Sequence, residues 1–160
     1  MPSYRQRLRI EGLVLAGCGI AWVVALLALA PGATDGSAST LIQLAMVFVL
    51  MSTLGVVATR RALAEAEALP PGFEGSGQPT ALWKLPLIVT VLTLAFGLPV
   101  GWDAGLRVCG GCVIVGLAQA FLLERLVAAD EARRALRYYR VPGSRIVRGT
   151  RLGTIGEGGE

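Results

Sequence analysis

Cys109-Gly-Gly-Cys112 is the one segment of this 160-residue chain whose residue types and spacing could carry a reaction. Two cysteines three apart can close a disulfide, and a thiolate is favoured at a helix start or beside a cation. Arg107 stands two residues earlier and is the candidate thiolate stabiliser. The chemistry such a trio would support is thiol–disulfide exchange. The competing reading is packing. Both cysteines belong to a file of small side chains, Gly105, Cys109, Cys112, Gly116 and Ala120, with Gln119 beside it. Steps of four, three, four and four keep that file on one helix face, and such faces let membrane helices approach closely. Gly12, Ala16 and Gly19 make a second file of the same kind.

Other chemistry is sparsely provided for. There is no histidine, which removes the commonest general base and metal ligand. The single lysine, Lys84, adjoins Trp83, a pairing typical of a side chain snorkelling at a membrane interface. Glu65, Glu67 and Glu74 lack the spacing of a metal site, so no metal and no cofactor is expected. Cys18 lies alone in an apolar stretch, so the three cysteines do not form a secreted disulfide framework.

The elements that must position these residues are read from charge. Gly12–Ala30, Thr40–Ala58, Leu85–Val100 and Val108–Leu123 contain no charged residue, and the chain is 54% hydrophobic with a mean hydropathy of +0.62. The first two stretches would each form roughly 28 Å of helix, close to the hydrocarbon thickness of a bilayer. With the N-terminus inside, all the Lys and Arg residues except Arg107 fall on the inner side, a strong positive-inside asymmetry. The expected fold class is therefore all-α: a polytopic membrane protein with four transmembrane helices, an up-down-up-down bundle with both termini cytoplasmic. The spans are expected at about 12–30, 40–58, 85–100 and 108–126. Ala28-Leu29-Ala30 resembles a signal-peptidase site, but the apolar run is long and Pro31 would follow the cut, so the first span reads as retained.

Two cytoplasmic helical extensions are expected, over 59–69 and 124–139, each ended by a Pro-Gly pair. The unit 1–139 is then the bundle domain, and 140–160 a basic, Gly-rich, disordered cytoplasmic tail. Arg133, Arg134, Arg137, Arg140, Arg145, Arg148 and Arg151 follow the last span and read as contacts to anionic lipid head groups or to a membrane partner. A basic patch interleaved with aromatics, as single-stranded nucleic acid requires, is missing, so no nucleic-acid partner is expected. The Arg-rich, Lys-poor usage points to a bacterial source and an inner (cytoplasmic) membrane.

In span number, topology and the placement of Cys109-Gly-Gly-Cys112, the layout resembles the vitamin K epoxide reductase family. That resemblance implies a four-helix membrane core with a redox-active pair near the non-cytoplasmic end of the fourth helix. The family's second cysteine pair, in the loop after the first helix, has no counterpart in Pro31–Ser39. The leading expectation is a small non-catalytic membrane protein, a structural or accessory module able to self-associate through its small-residue faces. The alternatives are a membrane thiol–disulfide oxidoreductase and a small pore or carrier subunit.

Overall fold

A computed structural model of the chain describes residues 3–29, 38–68, 82–140 and 152–156. Helix α1 spans Tyr4–Leu29 and α2 Ala38–Ala64; α3 spans Lys84–Val100 and α4 Trp102–Leu117. The last runs without a break through a π-helical stretch, Ala118–Leu123, into α5, Glu124–Arg134. The fold is mostly helical. Three of these helices are long and apolar enough to cross a membrane: α1, α2 over Ala45–Ala64, and the continuous Trp102–Arg134. The apolar α3 has 17 residues, about 26 Å of rise.

The helix ends follow from local chemistry. Ser3 caps α1, its Oγ accepting from the Gln6 N–H at 3.2 Å. Pro86 stands in the first turn of α3, where its missing N–H costs little. A single residue, Gly101, links α3 to α4 at φ +124, a left-handed conformation in which an added Cβ would also meet the Asp103 side chain at 2.8 Å. The chain therefore doubles back on itself, with the Trp102 ring lying over Gly97.

The core of the bundle is the antiparallel pairing of α1 with α4. Gly12, Ala16, Gly19 and Leu26 are buried on α1, and Gly105, Cys109 and Gly116 on α4, with Ala120 just beyond. A Cβ placed on Gly12 would lie 2.5 Å from the Gly116 carbonyl oxygen, and one on Gly116 would lie 2.6 Å from the Ala16 nitrogen. Backbone thus rests on backbone, which only glycine at these points permits. Gly19 likewise faces the Cys109 carbonyl, at 2.8 Å from an added Cβ. Helix α3 packs on the same pair, with Thr93 and Gly97 beside Gly105. The outer faces carry exposed Ile20, Val24, Val49, Leu50, Val91, Leu98 and Phe121, side chains that suit lipid and not water.

At one end the helices carry a small mixed sheet. Strand β1 is Glu67–Ala68, β2 Leu136–Arg140 and β3 Leu152–Gly156, in the order β1-β3-β2. The β1–β3 pair is parallel; β2 and β3 are antiparallel, with Tyr138 opposite Thr154. Beneath it lies a second core of Leu8, Leu63, Val127, Tyr138 and Leu152, with Tyr4, Ala62 and Leu126 against it.

This cap corrects the reading of both cytoplasmic extensions and of the tail. The extension over 124–139 stops as a helix at Arg134, where Ala135 turns left-handed (φ 52, ψ 41) and releases the chain into β2. The extension over 59–69 stops at Ala64, and Glu67–Ala68 becomes β1. Within the tail, Leu152–Gly156 is a strand instead of disordered chain. The physical reason is burial. Leu8, Leu63 and Val127 project beyond the uncharged stretches, and a sheet carrying Tyr138 and Leu152 shields them from water.

Gly116→Ala should force α1 and α4 apart and cost about 1–3 kcal/mol, as overpacked cores do. Gly17→Ala meets nothing within 4 Å, and should be neutral or stabilising by up to about 1 kcal/mol through helix propensity. Thermal unfolding in detergent followed by circular dichroism separates the two; equal midpoints would contradict the backbone contact.

Candidate functional site

The cysteine pair sits well inside α4. The helix begins at Trp102, so Cys109 lies two turns in, and its N–H is not among the free donors of the helix start. Cys18, Cys109 and Cys112 are all free thiols. Cys109 is fully buried, with Sγ 3.0 Å from the Thr93 hydroxyl. That hydroxyl gives its one proton to the Val89 carbonyl at 2.7 Å, so in the contact with Cys109 the thiol donates and the hydroxyl accepts. Cys112 is half-buried on the next turn.

Arg107 does not attend these cysteines. Its Nη1 donates to Gln43 Oε1 at 2.8 Å, and its Nη2 lies 3.4 Å from Asp103 Oδ2. The guanidinium ties α4 to α2 at the end opposite the cap. The guanidinium is thus engaged by Asp103 and Gln43, and the helix start at Trp102 lies seven residues before Cys109. The arrangement is that of a packed thiol, an ion pair within α4 and a hydrogen bond from α4 to α2.

Trp22, Thr90 and Thr53 are likewise engaged within the apolar stretches. Trp22 Nε1 donates to Thr90 Oγ1 at 3.0 Å, joining α1 to α3. Thr53 Oγ1 bonds back to the Val49 carbonyl at 2.7 Å. Ser52 Oγ is buried with no partner among the described residues. Gln119 lies half-buried within the π-helical stretch. Interhelical bonds of this kind average roughly 0.6 kcal/mol in membrane proteins, enough to set register without dominating stability.

Of the residues read as packing faces, Gly12, Ala16 and Gly19 meet Cys109, Gly116 and Ala120 across one seam, with Gly105 against Leu26 farther along. Cys112 and Gln119 lie at its margin, half-buried. The seam closes within a single chain. Within the chain each of these faces covers the other.

The charged residues collect at the cap. Arg5 pairs with Glu124, joining the start of α1 to the start of α5. Arg134 lies 3.2 Å from Asp130 Oδ2, and the same carboxylate oxygen accepts the Tyr138 hydroxyl proton at 2.6 Å. The Tyr138 backbone N–H donates to Glu131 Oε1 at 3.1 Å. Two acidic residues one step apart on α5 thus hold β2 by its central tyrosine. Sequence reasoning missed this anchor. Its signal was the alternation Leu136-x-Tyr138 ahead of Pro142-Gly143, a short strand followed by a turn. Of the seven C-terminal arginines, Arg133, Arg134 and Arg137 are exposed on α5 and β2, and Arg140 ends β2. Arg145, Arg148 and Arg151 lie outside the described residues.

Burial, and then the Asp130 hydrogen bond, push the Tyr138 phenol from its ordinary value near 10 up to about 12. No family model matches the chain, and neither does any curated protein or solved structure.

A phenol that holds its proton longer in the folded state contributes stability that is complete below pH 10 and lost as pH rises toward 12. Absorbance near 295 nm should show an ionisation step near pH 12 that Tyr138→Phe abolishes, together with the accompanying fall in stability. Loss of a step near pH 10 in Tyr138→Phe would contradict the buried cap.

Proposed function

We propose that this chain is a small non-catalytic integral membrane protein, a four-span structural or accessory module of the bacterial cytoplasmic membrane. Both termini lie in the cytoplasm, and the Arg-rich end contacts anionic lipid head groups or a membrane partner. The observation that carries this reading is how charge is sorted along the helices. Arg5, Arg7 and Arg9 begin α1, Arg60 and Arg61 lie near the end of α2, and Lys84 begins α3. Arg125, Arg133, Arg134 and Arg137 lie on α5 and β2. All of these stand at the cap end, and Arg107 alone stands at the other. Positive residues flanking spans favour the cytoplasmic side, where each also gains about 1 kcal/mol near anionic lipid.

The fourth span in this reading is α3, which the Trp22–Thr90 bond ties to α1 inside the bundle. Trp83, with the Lys84 ammonium 5.9 Å from its ring centroid, marks where that span meets the inner interface. The absence of activity in the reading rests on the occupied state of Cys109 and Arg107, both committed to partners that hold helices together.

Topology is tested with single cysteines on a background in which Cys18, Cys109 and Cys112 are alanine. Asp103→Cys should react with an impermeant maleimide from the periplasmic side, and Arg133→Cys only after the membrane is opened. Labelling of both from the same side would overturn the four-span arrangement.

A further inference from the structure

Between the start of α1 and the junction of α5 with β2 lies a cleft of about 360 Å³. Ser3, Arg5, Ala128, Glu131, Leu136 and Arg137 line it. The volume falls at the small end of the range for ligand sites, roughly 300–1,000 Å³. Its depth is set by Arg5, whose guanidinium reaches Glu124, the first charged residue after the apolar stretch. Ala128 stands four residues farther on, about 6 Å of helix rise. The cleft therefore opens at the level of the head-group layer, which is about 5–8 Å thick on each side of the hydrocarbon.

Its charges are of both signs. Arg5 and Arg137 present guanidiniums, the groups best suited to a phosphodiester. Glu131 presents a carboxylate, one oxygen of which holds the Tyr138 N–H. With Arg5 facing Glu124 as well, the local sum is close to neutral. A purely anionic head group would gain from the arginines and be repelled by Glu131. A head group with a phosphate and a primary ammonium satisfies both walls, since the ammonium donates hydrogen bonds to the carboxylate and a choline cannot.

We propose that this cleft binds the phosphoethanolamine head group of a membrane lipid, its phosphate on Arg5 and Arg137 and its ammonium on Glu131. The proposal rests on the membrane reading above and gives its lipid contact a defined place and chemistry.

The full chain is reconstituted in nanodiscs of mixed phosphatidylethanolamine and phosphatidylcholine, and the lipid retained after extraction is measured by native mass spectrometry. The wild-type protein should retain phosphatidylethanolamine over phosphatidylcholine by roughly fivefold, the ratio expected of one net hydrogen bond that choline cannot donate. Glu131→Gln keeps an acceptor for the Tyr138 N–H and should erase the preference. Arg137→Gln should lower retention of both lipids by clearly more than Arg133→Gln, the same charge change outside the cleft. Equal retention of the two lipids by the wild type would overturn the proposal. So would equal effects of Arg133→Gln and Arg137→Gln, which would leave undirected attraction to the membrane standing and remove the cleft. Displacement of the lipid by soluble glycerophosphoethanolamine at micromolar concentration would reassign the site to a free ligand and overturn the lipid source. Failure of the chain to enter nanodiscs at all would instead overturn the membrane reading.

Discussion

The close approach of α1 and α4 is the constraint on which the rest of the structure depends. Gly12 and Gly116 bring two backbones to a separation that a single methyl group would violate. In lipid there is little hydrophobic gain from pairing helices, so dispersion contacts at short range and a few hydrogen bonds must supply the attraction. A small-residue seam maximises both. Once α1 and α4 are joined, α3 has a fixed groove to enter, through Trp22–Thr90 on one side and Thr93–Cys109 on the other. Helix α2 is held more lightly, by Arg107–Gln43 at one end and by Gly55 against Leu123 at the other. The π-helical stretch carries Ala120 of the seam and leads into the cap. Before it, Cys109 and Gly116 are buried against α1; after it, Val127 is buried with Leu8 of α1, Leu63, Tyr138 and Leu152.

The same seam determines what the cysteines can do. A residue at the centre of a helix pairing must be small and apolar, and cysteine meets that requirement as well as alanine does. A reactive thiol needs a nearby positive charge and access for its partner. Cys109 has neither, because its surface is covered and the neighbouring guanidinium is held by Asp103 and Gln43. Chemistry and packing make opposite demands on this position, and packing is the one that is met.

How much of this could be read from the residues depends on the range of the interaction. The seam is local in origin: Gly12, Ala16 and Gly19 fall on one face by helical geometry alone, as do Gly105, Cys109 and Gly116. The break between α3 and α4 at Gly101 is an equally local signal. The cap is different. Its strands come from residues near 67, 138 and 154, and each is short, the second Arg-rich and the third Gly-rich, with no apolar run to announce it. Leu136–Arg140 also continues an Ala- and Arg-rich helix without a breaker, so local propensity favours the wrong state. What decides the strand is the long-range pairing with Leu152–Gly156 and the burial of Tyr138, both invisible to a window of the sequence. The Arg107–Gln43 bond is hidden for the same reason, since Gln43 lies far from Arg107 in the chain and meets it only once α2 is in place.

The pairing of α1 with α4 inside one chain is open to a direct measurement. Gly105→Cys tolerates its new side chain, because the Cβ would sit 3.5 Å from Leu26 Cδ1 in ordinary contact. On a background lacking the native cysteines, Leu26→Cys with Gly105→Cys should be bridged within one molecule by mercuric ion or mild oxidant in the membrane. Gly17→Cys with Gly105→Cys should not, since Gly17 faces open space. The account predicts a monomer of altered mobility for the first pair and no change for the second. Cross-linked dimers from the first pair, or bridging by both pairs alike, would contradict it.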